Sequence, residues 1–248
     1  MSDETVPLKA ERRDWIGLAV LALPCILYSM DLTVLHLAVP QITTALQPSS
    51  SQLLWIVDIY GFMVAGALIT MGTLGDRIGR RLLLLIGAAF FGVTSAIAAF
   101  SINAEMLIVA RALQGLAAAT LAPSTLSLIR NMFHDDRERA FAIGVWVACF
   151  SVGAAIGPVV GGLILAHFWW GAVFLINVPI MLLLLALGPF LLREFRDPNA
   201  GRLDILSAAQ SMVAVLAIIY GIKRIAEAGW APLPLFAIGV GLLVGAYF

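Results

Sequence analysis

Charge is scarce in this chain of 248 residues. Asp, Glu, Lys and Arg make up only 12% of it, and fifteen acidic against fifteen basic residues leave a formal net charge of zero. No basic excess is there to hold nucleic acid and no acidic excess to hold a basic partner, so the charges matter by position. Cysteine is nearly absent. Cys25 and Cys149 sit inside apolar runs, where a thiol behaves as a small hydrophobe, and two such thiols give no redox or metal signature. Also missing are His-Glu-x-x-His, Gly-x-Ser-x-Gly and any other nucleophile–base pair within the apolar runs, which argues against an enzyme; no pattern asks for a cofactor or a metal. His134-Asp135-Asp136-Arg137-Glu138 is dense in possible ligands, but they are consecutive and flanked by arginine, as in a charged turn. The chain lacks, finally, the segments of roughly ten residues with alternating polarity from which a membrane β-barrel is built.

What it has instead is hydrocarbon. Hydrophobic residues make up 61% of the chain and the mean hydropathy is +0.99, far more apolar surface than one water-soluble core hides. Lipid admits only structures that satisfy their own backbone groups, so long apolar runs predict an all-α membrane bundle. A span takes about 20 residues, and the qualifying runs are 15–39, 53–74, 82–100, 106–129, 140–166, 171–192 and 205–222. An eighth begins near Leu233 and stops at Phe248, roughly 24 Å of helix against a hydrocarbon core of about 30 Å. The expectation is a truncated last helix, and a chain that is part of a longer protein. The expected layout is a tail over 1–14, a six-helix bundle over 15–192, a linker over 193–204 with the turn residues Asp197-Pro198-Asn199-Ala200-Gly201, and helix seven with an incomplete helix eight over 205–248.

Arginine sets the orientation. Lys9, Arg12 and Arg13 precede the first run; Arg77, Arg80 and Arg81 follow the second; Arg130, Arg137 and Arg139 follow the fourth; Arg193, Arg196 and Arg202 follow the sixth. The loops after runs one, three and five carry no Lys or Arg, so the N-terminus is expected in the cytoplasm of a cell with the protein in its plasma or inner membrane. Lys223 and Arg224, after the seventh run, fall on the wrong side of this count.

Charges inside spans are costly, about 2.5–3.5 kcal/mol each at the helix centre, and normally face a cavity or one another. Asp31, Asp58 and Arg111 are the three. Counted along their helices they reach a similar depth, which permits one network in which Arg111 offsets part of the acidic charge and one carboxylate stays free to take a proton or a cation. Tyr28 precedes Asp31 by three positions and Trp55 precedes Asp58 by three, placing a ring on the face of each acid, an arrangement suited to a lipophilic organic cation. Gly153, Gly157 and Gly161 repeat every fourth position beside Pro158 and Gly162; small residues so spaced form a groove for another helix, and close packing alone accounts for them.

The run Gly72-x-Leu74-x-Asp76-Arg77-x-Gly79-Arg80-Arg81 resembles the loop motif between helices two and three of the major facilitator superfamily. Gly153-x-x-x-Gly157-Pro158-x-x-Gly161-Gly162 is similar to the helix-five motif of its antiporters, and Arg111-x-x-Gln114-Gly115 to the helix-four motif whose arginine is linked to proton coupling. Asp31-x-Thr33-Val34 and Trp55-Ile56-Val57-Asp58-Ile59-Tyr60 look most like the fourteen-helix drug:proton antiporters that export quaternary ammonium compounds and dyes. His36, where many relatives carry asparagine, and Ala172, where a second tryptophan is common, depart from the pattern. The resemblance implies proton-coupled efflux of hydrophobic cations. It implies substrate and proton contacts at Asp31, Asp58, Arg111, Tyr28 and Trp55, a conformational latch at Gly72, Asp76, Arg77, Gly79, Arg80 and Arg81, and partners in protons, membrane lipid and a C-terminal bundle missing from this chain. A superfamily uniporter or symporter for another small solute, or a remnant that does not transport, are the alternatives.

Overall fold

The computed structural model describes residues 9–197, 205–230 and 232–247, which form nine α-helices and no strand. They are α1 (Arg12–Leu46), α2 (Ser50–Ile78), α3 (Arg80–Ala99), α4 (Ala104–Met132), α5 (Asp136–His167), α6 (Ala172–Leu175), α7 (Asn177–Leu191), α8 (Ile205–Ala228) and α9 (Pro232–Tyr247). The short α6 and α7 make one crossing. Ile176 between them keeps right-handed helical angles, and Pro179, having no N–H to give the Leu175 carbonyl, accounts for the break in the ladder. Six crossings, α1 to α5 and α6–α7, are long and apolar enough to traverse a membrane, so this is a multi-pass membrane protein.

Polar caps end the helices. Ser49 Oγ accepts from the Gln52 N–H at 3.2 Å, Asn103 Oδ1 from the Met106 N–H at 2.8 Å, and Asp135 Oδ1 from the N–H groups of Arg137 and Glu138 at 3.0 Å. The charged turn at His134–Glu138 is thus the N-cap of α5, and Glu138 reaches on to the Ala10 N–H at 2.7 Å. The first helix already starts at Arg12, inside the segment expected to be a tail, and Asp14 is buried there with its Oδ2 accepting from the Glu11 N–H at 2.9 Å.

Helix α1 packs along α5, α2 along α4, and α3 along α4 and α7; α8 lies against α2 and α9. The core where these meet is filled by Leu21, Leu35, Ile56, Tyr60, Phe91 and Phe174, each under 2% exposed. Only 22% of the most apolar window of α5 and 28% of that of α2 is buried, so these two helices turn most of their surface outward. The arginine-rich termini of α2, α3, α5 and α7 share one end of the bundle, called the basic end below.

The basic end is tighter than a loop. Helix α2 runs on to Ile78 and α3 begins at Arg80, so Gly79 alone makes the turn, with a φ of 118° open to glycine and strained for other residues. A Cβ there would also stand 2.6 Å from the Glu194 carboxylate. That carboxylate accepts from the Arg81 and Leu82 N–H groups at 2.9 and 3.1 Å, capping α3 from outside. Arg81 in turn donates to the carbonyls of Pro189 and Leu192 at 3.2 and 3.1 Å, and Arg13 Nε to that of Leu191 at 3.2 Å, closing the C-terminus of α7. The described part of the expected linker therefore lies fast on this end: Arg80 N–H donates to the Phe195 carbonyl at 2.9 Å and Asp197 N–H to that of Asp76 at 3.0 Å.

Candidate functional site

Two acids were expected to share one arginine; the structure gives each its own base. Asp31, its side chain 3% exposed, pairs with the fully buried Arg111. Gln114, one turn beyond Arg111 on α4, accepts from the guanidinium at 3.0 Å and donates to Asp31 Oδ1 at 3.3 Å and to Ser95 Oγ at 2.8 Å. Asn177, at the start of α7, donates to Asp31 Oδ1 at 3.2 Å and to Ser95 Oγ at 3.3 Å. Four helices thus meet on one carboxylate: α1 supplies the acid, α4 the cation and an amide, α7 a second amide, and α3 the hydroxyl that orients both amides. Such packing of donors is what makes a buried ion tolerable, because desolvation otherwise exceeds the Coulomb gain.

Aromatic faces complete the lining. The Arg111 guanidinium carbon stands 4.4 Å from the centroid of the Tyr60 ring and 5.7 Å from that of Phe174. The Tyr28 ring lies 6.2 Å from that of Tyr60 and 5.6 Å from that of Phe150, linking the Tyr60 side of the pair to α5. Ser29 binds α5 as well, donating to the Phe150 carbonyl at 2.5 Å.

Asp58 stands apart. Its Oδ2 lies 2.7 Å from the ammonium of Lys223 on α8, the residue that broke the charge count along the sequence. Trp55 and Phe62, on the same face of α2, put their centroids 5.1 and 5.5 Å from that ammonium. The single three-charge network is therefore corrected to two pairs, because α8, which no periodicity places against α2, brings a second cation to the second acid.

The glycine row of α5 is filled by α1. A Cβ at Gly153 would collide with the Ile26 carbonyl and one at Gly157 with Thr33 Oγ1, while one at Gly161 would stand 2.9 Å from Val34. Gly162 faces open space. In the loop motif, Asp76 pairs with Arg80 one turn on, Gly72 stands opposite Pro123 of α4, and Arg77 is exposed. Sequence reasoning gave no role to Ser95, Glu194 or Asn177, named Tyr60 only within a motif, and met Lys223 only as an exception to the charge count. For Asn177 the signal was available, a carboxamide in an otherwise apolar run.

A bundle of membrane helices that buries a hydrogen-bonded ion pair between its spans has the make-up of a secondary transporter. The chain belongs to the Major Facilitator Superfamily, whose pattern matches residues 21–248. It is 52% identical over 236 residues to the multidrug efflux pump LfrA of Mycolicibacterium smegmatis, covering 95% of this chain and 47% of that protein. It is 42% identical over 238 residues to the methyl viologen resistance protein SmvA of Salmonella typhimurium, covering 94% and 47%, and 34% identical to the methylenomycin A resistance protein of Bacillus subtilis, covering 93% and 50%. The chain spans about half the length of these curated relatives. Among solved structures, a peptide transporter, POT, superposes with a TM-score of 0.65 at 21% identity over 89% of this chain and 48% of its own, a likeness of fold alone.

Proposed function

We propose that this chain is the N-terminal portion of a fourteen-helix exporter of lipophilic organic cations driven by proton antiport. In this reading the protein sits in the inner membrane with its N-terminus in the cytoplasm, and two bundles rock about a site between them. The observation that carries the reading is the Asp31–Arg111 pair: a carboxylate and a guanidinium placed inside the spans and held there by Gln114, Asn177 and Ser95. The amide donors keep the pair tolerable inside the spans, and an ionisable residue at that depth, in a chain similar to efflux and resistance proteins, is what supports a coupling role. The carboxylate would take up a proton as one conformer opens and release it as the other does, with Arg111 setting its affinity. Asp58, whose side chain is 35% exposed and faces Trp55, is the contact for the cation. The charged residues at Asp76, Arg77, Arg80 and Arg81 and the turn at Gly79 would hold the basic end closed in one conformer, and the glycine row of α5 would be the seam along which α1 moves.

The similar proteins support export, being named as an efflux pump and as resistance proteins, one of them for methyl viologen, a bis-quaternary bipyridinium. Asp31→Asn in the full-length transporter should abolish energised export of methyl viologen, measured as cellular retention of the compound per folded transporter in the membrane. Wild-type export by this variant would refute the coupling role.

One observation favours a second reading. Each acid already has a base of its own, so the described spans carry no surplus negative charge, as in a carrier of neutral solutes. Exchange in vesicles that ignores an imposed proton gradient would favour that alternative.

A further inference from the structure

Lys223 ends in a box made of one carboxylate and two rings. Trp55, Asp58 and Phe62 lie on one face of α2, spaced at i, i+3 and i+7, and present a carboxylate between two rings. The Lys223 ammonium sits 2.7 Å from the carboxylate oxygen and 5.1 and 5.5 Å from the two ring centroids. One turn earlier on α8, Tyr220 stacks on Trp55 with centroids 6.3 Å apart and planes 21° from parallel, so the same helix that delivers the ammonium also covers the box. The two partners are unequally covered: the Lys223 side chain is 16% exposed and that of Asp58 35%. The carboxylate keeps an open side.

We propose that Lys223 is a tethered occupant of this box, that lipophilic organic monocations compete with it for Asp58, and that its displacement frees α8 from α2. The proposal rests on the reading of Asp58 as the cation contact. A primary ammonium is compact and strongly hydrated, so it loses little on returning to water. A quaternary ammonium or phosphonium ion has no N–H to give the carboxylate but brings a weakly hydrated, apolar surface to the two rings, where cation–π attraction and desolvation act together. The lysine is always present at the high local concentration of a short tether. Only ligands that bind the rings well displace it, which makes the side chain a threshold against small hydrated cations. When a site is open for only a tenth of the time, the apparent affinity falls about tenfold.

Tetraphenylphosphonium binding to the purified chain in nanodiscs tests this by calorimetry. Lys223→Gln keeps the side chain polar, uncharges it, and should tighten binding by at least about tenfold; Asp58→Asn in the Lys223→Gln background should take that gain away. Unchanged or weaker binding by Lys223→Gln, with further loss in the double variant, would make the lysine a structural tie and overturn the proposal while leaving Asp58 as the cation contact. Equal affinity of Lys223→Gln and the double variant would remove Asp58 from the site and sink both readings.

A measurement on the unaltered chain does not depend on the variants folding. Lys9 and Lys223 are its only lysines, so acylation by an amine-reactive ester, read by mass spectrometry, reports on Lys223 with Lys9 as internal reference. Tetraphenylphosphonium should speed acylation of Lys223 relative to Lys9. No change, or protection, would contradict displacement.

Discussion

For single residues, the medium sets the value of a charge. Asp31 and Arg111 would each cost about 2.5–3.5 kcal/mol to place alone in a span; Gln114, Asn177 and Ser95 bond the carboxylate side of the pair, while Arg111 Nε and Nη2 and Asn177 Oδ1 are buried without a hydrogen-bond partner among the described residues. Removing one charge does not return the molecule to neutral packing, because it strands the other. Asp31→Asn is therefore expected to lower the unfolding free energy of the chain in nanodiscs by about 3–5 kcal/mol, and Arg111→Gln by a similar amount. The double variant should lose less than the sum, by roughly 0.5–3 kcal/mol. Strict additivity in denaturant unfolding would show that the two charges do not feel one another. The sequence displayed all three intramembrane charges through their isolation in apolar runs, but not their pairing. A shared depth along helices says nothing about which faces meet, and Asp58 found Lys223 only through the docking of α8 on α2. Ser95 was invisible for a different reason, since a serine in an apolar run also bonds its own backbone.

Helix positions were legible because apolar runs of this length admit little else, and the predicted spans overlap the observed helices throughout. Their ends were less so. Nothing obliges a helix to stop where lipid stops, and α2 carries Gly75, Asp76 and Arg77 along before Gly79 turns the chain. Glu194, which caps α3 from 113 residues away, left no local trace. The glycine row shows the reverse case, where spacing foretold the contact and the structure named the partner as α1. Its faces differ, and the difference is measurable. Gly153→Ala pushes a methyl group into the Ile26 carbonyl, backbone that has no rotamer to yield, and should cost about 1–3 kcal/mol in the same unfolding assay. Gly162→Ala, with nothing within 4 Å of its Cβ, should be neutral or slightly stabilising, since alanine favours helix over glycine. Equal losses at the two positions would mean that α1 does not lie in the groove.

Across the whole molecule, the excess of arginine in the short turns at the basic end, against none in the turns after α1, α3 and α5, is what the insertion machinery reads. The pairing of Lys223 with Asp58 matters here, because a cation held against α2 inside the protein is no longer a flanking charge and does not vote on orientation. On the proposed orientation, Lys223 on the wrong side of the count then costs nothing, and Arg224 beside it is the one charge left against the count. Labelling of intact cells with a membrane-impermeant maleimide makes the argument quantitative, and the background is low since Cys25 and Cys149 are 1% and 8% exposed. A cysteine at Ile102, 82% exposed in the turn between α3 and α4, should react from outside. One at Arg137, exposed at the start of α5, should react only after the membrane is opened. Adding Lys223→Gln should leave both patterns as they were. A chain that inverted on losing Lys223, with Arg137→Cys labelled first, would show that this lysine steers insertion from outside the bundle rather than answering Asp58 within it.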